Sequence, residues 1–363
     1  MNKNKYLEYL INPFEILRTQ KVLQVNPTVI PERNTNGAIK IFLFEYDQQK
    51  CAFTSLDSVG EAFKHLHTQQ TSWINIDGIN KAETEKIAEH FGIHPLIVDD
   101  ILSINQRPKM DEINGLLFCV LNMLYFNEKE SSVETEQISI VLGKNFVISF
   151  QDDATRDVFN SLREKIKLPG SKVRQNKSDF LFYTLIDSIV DHYYLVMEKL
   201  ADKIEQLEED IVRNADNRTL VKINTLRKEM ILLKRSIGPV RDLINGILRS
   251  ENEWIEEKTE KYFKDVYNHI VQANDLAENY RDMMINLHDL YMSNVNLRQN
   301  EVMKLMAIVT CLLAPATVIG AIFGMNFDKI PMLHNQWGFG ISVGLMILIP
   351  FWMIRYFKRR KWF

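Results

Sequence analysis

The chain has 363 residues, of which 46% are hydrophobic and 25% are charged, so it is long enough for a soluble core besides any membrane segment. Its formal net charge of −3, without an arginine-rich patch, argues against nucleic acid as a partner. The three cysteines, Cys51, Cys119 and Cys311, are too scattered to predict a disulfide framework.

An α/β domain is predicted over residues 1–170. Short runs rich in apolar, β-branched and aromatic residues predict strands at 39–44, 72–76, 116–126 and 137–150. The last run contains Gly143-Lys144-Asn145, which is typical of a hairpin turn. Helical spacing predicts helices over 81–91 and 153–167, and Pro169-Gly170 closes the domain.

The rest of the chain is predicted to be helical. Residues 171–252 show the pattern of an antiparallel helical hairpin with a break at 214–217. From about residue 256 to residue 324 the main internal breaker is Pro315, so a single helix of roughly 70 residues and about 100 Å is expected. Its cytosolic part is assigned to residues 253–302.

Two transmembrane helices are predicted, because about 20 apolar residues suffice to cross a bilayer. The first, 303–325, carries no formal charge after Lys304, and the next charged residue is Asp328. The second, 337–355, is followed by a basic tail over 356–363, which indicates a cytoplasmic C-terminus. With the loop 326–336 outside, and no signal peptide at the start, we expect a multi-pass protein of the cell (inner) membrane with both termini cytoplasmic.

A seam of small and polar residues runs along one face of the long helix. Steps of three and four residues from Asn300 give Met303, Ala307, Thr310, Ala314, Thr317, Ala321 and Gly324. The same steps towards the N-terminus give Asn296, Ser293, Asp289, Asn286, Asp282, Asn279 and Asp275. A seam of this length favours copies of the helix around a shared, water-filled axis. For the membrane part, close packing through small residues is the alternative.

Five short stretches of the sequence point to a family. Gly324-Met325-Asn326 stands between two spans, after Asn300-Glu301-Val302-Met303-Lys304 and before Lys358-Arg359-Arg360-Lys361-Trp362. In the soluble part stand Asp99-Asp100-Ile101-Leu102 and Gln106-Arg107-Pro108-Lys109. In these features the chain resembles the CorA family of divalent-cation channels. It departs from the family pattern at three positions. Phe323 stands where the family often has a tyrosine, and Met332 and Asn268 each stand where it often has an acid.

The resemblance implies an α+β fold class: an N-terminal cytosolic α/β domain, a long helical stalk and two C-terminal transmembrane helices in a funnel-shaped homopentamer. It implies passive, potential-driven uptake of Mg2+, with Co2+ or Ni2+ often admitted. It also implies that Mg2+ bound between the cytosolic domains closes the channel. Magnesium is then the transported and the regulatory ion, the partners are the lipid bilayer and divalent cations, and no catalytic cofactor is needed.

The proposed selectivity filter is Gly324, Met325 and Asn326. Mg2+ gives up water reluctantly, so a filter that binds its hydration shell needs neutral acceptors, which a ring of Asn326 amides would supply. Gly324 would let the chain leave the helix, and Met325 would hold the ring. The alternative is a simple helix C-cap made by the glycine and the asparagine. At the mouth, Asp328 would attract cations.

Deeper in the proposed pore, oxygen atoms of Thr317, Thr310 and Asn300 can bind hydrated ions. The full predicted lining is Asp289, Asn296, Asn300, Met303, Ala307, Thr310, Ala314, Thr317 and Ala321. Asp289 would add a carboxylate ring on the cytosolic side. Met303 and Met306 are the predicted gate, because an apolar constriction closes by losing water. The alternative for both is contact with lipid or a neighbouring helix.

The predicted regulatory Mg2+ ligands are Asp99, Asp100 and Asp265, on two segments that could meet across a subunit interface. Without the family resemblance, each would be interpreted as a solvated surface acid. The sequence has no phosphate-binding loop, so neither ATP use nor a nucleotide partner is predicted, and the chain is not expected to be an enzyme. A zinc or cobalt/nickel transporter of the same family and a two-span sensor or scaffold without a pore are the alternatives.

Overall fold

The coordinates are a computed structural model that describes residues 39–56, 58–63, 70–104, 106–153, 158–250, 252–327, 330–332, 335–360 and 362. These residues form two compact units. One comprises the described residues up to Glu208 together with Val221–Asn286, and the other comprises Glu209–Leu220 and the described part of Leu287–Phe363. Each unit is described below by itself.

The first unit contains a mixed β-sheet. Its strands within the described residues are β1 (Lys40–Tyr46), β2 (Cys51–Leu56), β3 (Thr71–Asp77), β4 (Lys109–Ile113), β5 (Leu116–Asn127), β6 (Ser132–Leu142) and β7 (Phe146–Gln151). The strand order is β2-β1-β3-β7-β6-β5-β4. The β3–β7 pair is parallel and the other pairs are antiparallel. The sheet therefore joins an antiparallel meander, β4 to β7, to the β1–β2 hairpin through β3.

Helices cover both faces of this sheet. On one face, α1 (Val59–Ala62), α2 (Lys81–Phe91) and α3 (Pro95–Leu102) share a buried core with the strands, which includes Ile41, Ile74 and Ile97. On the other face lie α4 (Asn160–Lys167) and α5 (Ser178–Arg213). The Phe159 ring packs edge-on 6.0 Å from that of Trp73, and the Tyr193 hydroxyl donates to the Asn122 carbonyl over 2.7 Å. The predicted α/β domain is thus a three-layer α/β/α arrangement.

Local sequence signals account for most of these elements. Helix α2 matches the prediction, with the Asn80 side chain accepting from Ala82 N–H at its start and Gly92 at φ 68° at its end. The run 137–150 divides at the predicted turn, where Gly143 N–H donates to the Phe146 carbonyl. The predictions were incomplete in several places, since α1, α3 and β4 were not predicted. The helix expected from residue 153 begins at Asn160, and β2 was missed because four of its residues are exposed.

The remaining helices are α6 (Asn217–Arg249), α7 (Glu257–Phe323) and α8 (Gly338–Arg359). Asp216 begins α6 by accepting the N–H groups of Arg218 and Thr219, both at 2.9 Å. Helix α7 is continuous through Pro315 for 67 residues, as expected, and ends at Phe323. That end is two residues before the predicted limit of the span, and α8 runs beyond residue 355 to Arg359. Both α7 and α8 contain a stretch long and apolar enough to cross a membrane.

A carboxyl group in the sheet is poised to titrate near neutral pH. Glu136 on β6 is 8% exposed, and its Oε1 accepts from the N–H groups of Asp152 and Asp153 at 2.9 and 2.7 Å. Burial is the main reason that the Glu136 pKa is raised from 4.5 to about 7, and the two neighbouring carboxyls add to the shift. The folded chain therefore holds this proton at a pH where the unfolded chain releases it.

We predict that the Glu136 pKa makes the first unit less stable as the pH rises from 4.5 to 7. A raised folded-state pKa contributes stability below pH 4.5, and this contribution is lost towards pH 7. It amounts to at most about 3 kcal/mol, since one pKa unit corresponds to about 1.4 kcal/mol. Glu136→Gln should remove this pH dependence in denaturant unfolding followed at pH 5 and pH 8, whereas Glu130→Gln, at an exposed position, should not. Equal pH dependence in wild type and Glu136→Gln would contradict the prediction.

Candidate ion pathway and cation-sensing residues

The membrane part of α7 has one side that is covered within the chain. The least exposed side chains of this segment repeat at helical spacing: Ile308, Leu312, Pro315, Ala316, Ile319 and Phe323. Helix α8 lies alongside, since a Cβ placed on Gly320 would be 3.9 Å from the Met346 methyl carbon. The second span therefore lies beside α7 at Gly320, next to the partly covered Ala316 and Phe323.

The seam lies on the opposite side of the helix. At about 100° per residue, its centre is about 180° from the centre of the covered side. Its residues are all exposed: Asp289, Asn296, Asn300, Met303, Ala307, Thr310, Ala314, Thr317 and Ala321. The small residues of the seam are therefore not used to pack α7 against the chain's own second span.

Two threonines give the seam acceptor oxygens inside the membrane segment. The Thr310 hydroxyl donates to the Met306 carbonyl at 2.9 Å, and the Thr317 hydroxyl lies 2.9 Å from the Ala314 carbonyl and 3.1 Å from that of Leu313. A hydroxyl that donates to its own helix keeps its lone pairs for another donor. Both oxygens can therefore accept from the water molecules around a cation.

The predicted filter stands where α7 ends. Gly324 N–H still donates to the Gly320 carbonyl at 3.0 Å, and Met325 N–H donates to the Ile322 carbonyl at 3.3 Å. Gly324 is not among the glycines with positive φ, so this helix end lacks a left-handed glycine, and a simple C-cap stays the alternative to a filter. Asn326 follows with an exposed side chain that makes no hydrogen bond within the described part of the chain. Asp328, the predicted mouth residue, lies outside the described residues.

The predicted gate residues are placed next to the seam. Met303 and Met306 are 61% and 65% exposed, and neither is covered by its own chain. Met303 lies on the seam itself, and Met306 lies about 60° from its centre at 100° per residue. Both side chains are thus available to neighbouring copies of the helix, and their role as a gate stays a prediction.

Asp99 and Asp100 lie near the end of α3. Asp99 is exposed, whereas the Asp100 carboxylate is 2.5 Å from the Lys109 ammonium. Lys109 also lies 3.0 Å from the Asp111 carboxylate. Burial acts to lower the pKa of Lys109, but the bonds to Asp100 and Asp111 outweigh it and the pKa is raised. A cation that binds Asp100 must therefore compete with the Lys109 ammonium.

Asp265, on α7, does not contact Asp99 or Asp100 through a hydrogen bond or ion pair in its own chain. It lies 4.0 Å from His269 Nε2 instead. One oxygen or nitrogen ligand atom from each of Asp187, Asp191 and His269 lies within 4.8 Å of the others. Burial, followed by the charge of Asp191, raises the pKa of Asp187 to about 6. Asp265 thus borders a cluster of three groups that could hold a metal ion.

This cluster was not predicted from the sequence. Asp187 and Asp191 are four residues apart on α5, and Asp265 and His269 are four apart on α7, so each pair shares a helix face. The two pairs are about 80 residues apart in the sequence, and nothing in the sequence indicates that their helix faces meet in the fold. Carboxylates suit Mg2+, and an imidazole nitrogen suits Co2+, Ni2+ or Zn2+. The donor set therefore fits the ions predicted for the chain.

The chain is similar to known transport proteins in sequence and in fold. The family model of the CorA-like Mg2+ transporter protein matches residues 68–359. The cobalt/magnesium transport protein CorA of Thermotoga maritima is 37% identical over 292 residues, which cover 80% of this chain and 83% of that protein.

Solved structures show the same fold. The CorA magnesium transporter of Methanocaldococcus jannaschii matches with a TM-score of 0.73 and 22% identity, over 89% of this chain and 98% of that one. The full-length CmaX protein matches with a TM-score of 0.68 and 18% identity, over 90% and 100%. The family is one of transporters and not of enzymes, which confirms that prediction. With its α/β domain, its long helix and its two apolar C-terminal helices, the chain is a membrane protein that belongs to the CorA-like Mg2+ transporter family.

Proposed function

We propose that the chain forms a homopentameric channel for passive uptake of Mg2+, and also of Co2+ and Ni2+, across the inner membrane. In this proposal the first spans surround a central pore and the second spans form an outer ring. Both termini and the α/β domain lie in the cytoplasm. Hydrated cations are selected at a ring of Gly324-Met325-Asn326 motifs, and Mg2+ bound between cytosolic domains closes the channel.

The observation that carries the proposal is the position of the seam opposite the covered side of α7. In a ring of copies, α8 would lie outside each first span, and the seam would then face the axis. The exposed hydroxyls of Thr310 and Thr317 and the amides of Asn296 and Asn300 would line a wet path. Hydroxyl side chains within a span most often face other helices or water, so Thr310 and Thr317 favour neighbours other than lipid on that side.

Conduction needs no catalytic group. The membrane potential provides about 2.3 kcal/mol per charge for each 100 mV, so a divalent cation gains about 4.6 kcal/mol on entry. Neutral amide and hydroxyl oxygens suit a cation that keeps its hydration shell. Closure of the pore is assigned to Met303 and Met306. Their apolar side chains would exclude water when the helices approach each other.

Closure by internal Mg2+ is assigned to Asp99 and Asp100 of one subunit together with Asp265 of the next. The cluster of Asp187, Asp191 and His269 next to Asp265 would extend this sensor. A bound cation would offset the repulsion between these carboxylates and hold neighbouring subunits together. Loss of the ion would let the subunits separate and the pore open.

The proposal is tested by ion flux into proteoliposomes that contain the purified protein. Mg2+, Co2+, Ni2+ and Zn2+ are compared at defined membrane potentials, with and without a proton gradient. We expect Mg2+ entry that increases with the inside-negative potential and does not respond to the proton gradient. Acceleration by the proton gradient would favour the zinc-type transporter, and the absence of any flux would favour the sensor or scaffold.

A further inference from the structure

The end of helix α3 is bonded by the amide of a buried residue in the sheet. This residue, Gln137 on β6, is 6% exposed. Its Nε2 donates to the Ser103 carbonyl at 3.0 Å and to the Asp100 carbonyl at 3.3 Å. Its Oε1 accepts from Gln106 N–H at 3.0 Å. One side chain thus bonds three backbone groups in the segment where α3 ends.

The place of Gln137 in its strand explains why the amide reaches α3. Successive side chains of a strand point to opposite faces of the sheet, so Gln137 shares a face with Val141. Val141 belongs to the buried core that the sheet shares with α3. A polar side chain on such a face is costly unless it is hydrogen-bonded. The backbone at the end of α3 satisfies both the nitrogen and the oxygen of this amide.

The end of α3 in turn needs donors from outside the helix. The last four carbonyls of a helix have no partner within it. Ser103 satisfies that of Asp99, because its N–H and its hydroxyl donate to this oxygen at 2.9 and 2.7 Å. Gln137 satisfies the next carbonyl, that of the partly buried Asp100. The amide therefore fixes the backbone from which the Asp100 carboxylate extends.

The direction of the Asp100 carboxylate depends on this backbone. The carboxylate lies 2.5 Å from the Lys109 ammonium. A cation that displaces the ammonium removes that bond and leaves the backbone to orient the carboxylate. Mg2+ requires a nearly ideal octahedral arrangement with ligands at about 2.0–2.1 Å, so a small displacement of a ligand oxygen weakens binding.

We propose that Gln137 is a positioning residue for the cation that closes the channel, and that it acts by holding Asp100 in the direction that the ion requires. This inference rests on the proposed function, in which Asp100 is a ligand of the regulatory ion. Gln137 acts through the Asp100 backbone, since its own amide is bonded to backbone groups. Replacement of a residue that orients a metal ligand typically changes metal affinity by about 10- to 100-fold.

Inhibition of Mg2+ entry by internal Mg2+ tests this inference, with the full-length protein in proteoliposomes. Gln137→Met, which keeps the length of the side chain but has no amide, should raise the half-inhibitory Mg2+ concentration about tenfold. The flux at the lowest internal Mg2+ concentration should stay close to wild type. Gln137→Asn is the milder variant, because its amide is one carbon too short to reach both carbonyls, and it should shift inhibition in the same direction. Elution volume shows that the variants assemble.

A control at a second buried amide separates positioning from a general loss of stability. Asn75 is fully buried on β3 and bonds Asp77 and Ser149. It lies on the face of β3 opposite to Ile74 and Ile76, which belong to the core shared with α3. Asn75→Leu should destabilise the first unit and leave the half-inhibitory Mg2+ concentration unchanged. A shift as large as that of Gln137→Met would overturn the inference.

Combination with Asp100→Ala shows whether Gln137 acts through this ligand. Once the carboxylate is absent, the addition of Gln137→Met should cause no further shift, whereas independent effects would add. An additive shift in the double variant would overturn the inference. A shift in Asp100→Ala with none in either Gln137 variant would refute this inference alone. Unchanged inhibition in Asp100→Ala would refute the proposed sensor, and this inference with it.

Discussion

Mg2+ entry into proteoliposomes should fall by at least roughly a hundredfold in Asn326→Ala. Each amide that accepts from the hydration shell contributes on the order of 1 kcal/mol, and copies of the chain around an axis act together on one ion. Three such contacts already amount to about 3 kcal/mol, or roughly a hundredfold. Uptake is followed with a fluorescent Mg2+ indicator inside the vesicles and normalised to the amount of reconstituted protein.

The matched control for Asn326→Ala is Gln336→Ala, which removes an exposed amide elsewhere in the same loop. Its flux should remain close to wild type. Elution as an intact oligomer shows that neither change disrupts assembly. If Asn326→Ala conducts as well as Gln336→Ala, the amide ring does not select the ion, and the motif has another role.

Asp265→Ala should raise the internal Mg2+ concentration that halves the flux by about tenfold or more. Loss of a charged ligand costs about 1.5–3 kcal/mol, and about 1.4 kcal/mol corresponds to a factor of ten. The measurement is Mg2+ entry into vesicles loaded with graded Mg2+ concentrations. Unchanged inhibition would show that the sensor assignment to Asp265 is wrong.

Two further variants sharpen this test. Glu257→Ala removes a more exposed acid from the first turn of the same helix and should leave inhibition unchanged. Lys109→Met removes the ammonium that lies 2.5 Å from Asp100, and so removes a competitor for that carboxylate. Its inhibition should shift to lower Mg2+ concentration. A shift in the opposite direction would exclude Asp100 as a ligand.

The sequence was sufficient for elements whose signals are local. Helix α2 is bounded by an asparagine and a glycine with defined capping roles, and α7 follows from a long segment without effective breakers. The hairpin between β6 and β7 follows from its turn residues. By contrast, β4 reads Lys-Met-Asp-Glu-Ile and carries no alternating pattern, so pairing with β5 determines its conformation.

The candidate sites likewise divide into those with a local sequence signal and those that depend on contacts between distant residues. The seam is a periodic pattern within one helix, so spacing alone predicts that its residues share a face, whereas the covered side of α7 was not predicted. The cluster of Asp187, Asp191 and His269 depends on which faces of two distant helices meet, and the ion pair between Lys109 and Asp100 depends on how α3 lies against a strand. These contacts are non-local, and no short motif encodes them.

Thiol accessibility along α7 tests most directly whether the seam faces a water-filled path. In a background with Cys51→Ser and Cys311→Ala, cysteine is introduced singly by Thr310→Cys, Ala314→Cys and Thr317→Cys on the seam, and by Leu312→Cys and Ile319→Cys on the covered side. A water-soluble cationic thiol reagent should modify the three seam positions and block Mg2+ entry, and should spare the two others. Modification of Leu312→Cys and Ile319→Cys with an unreactive seam would contradict the account.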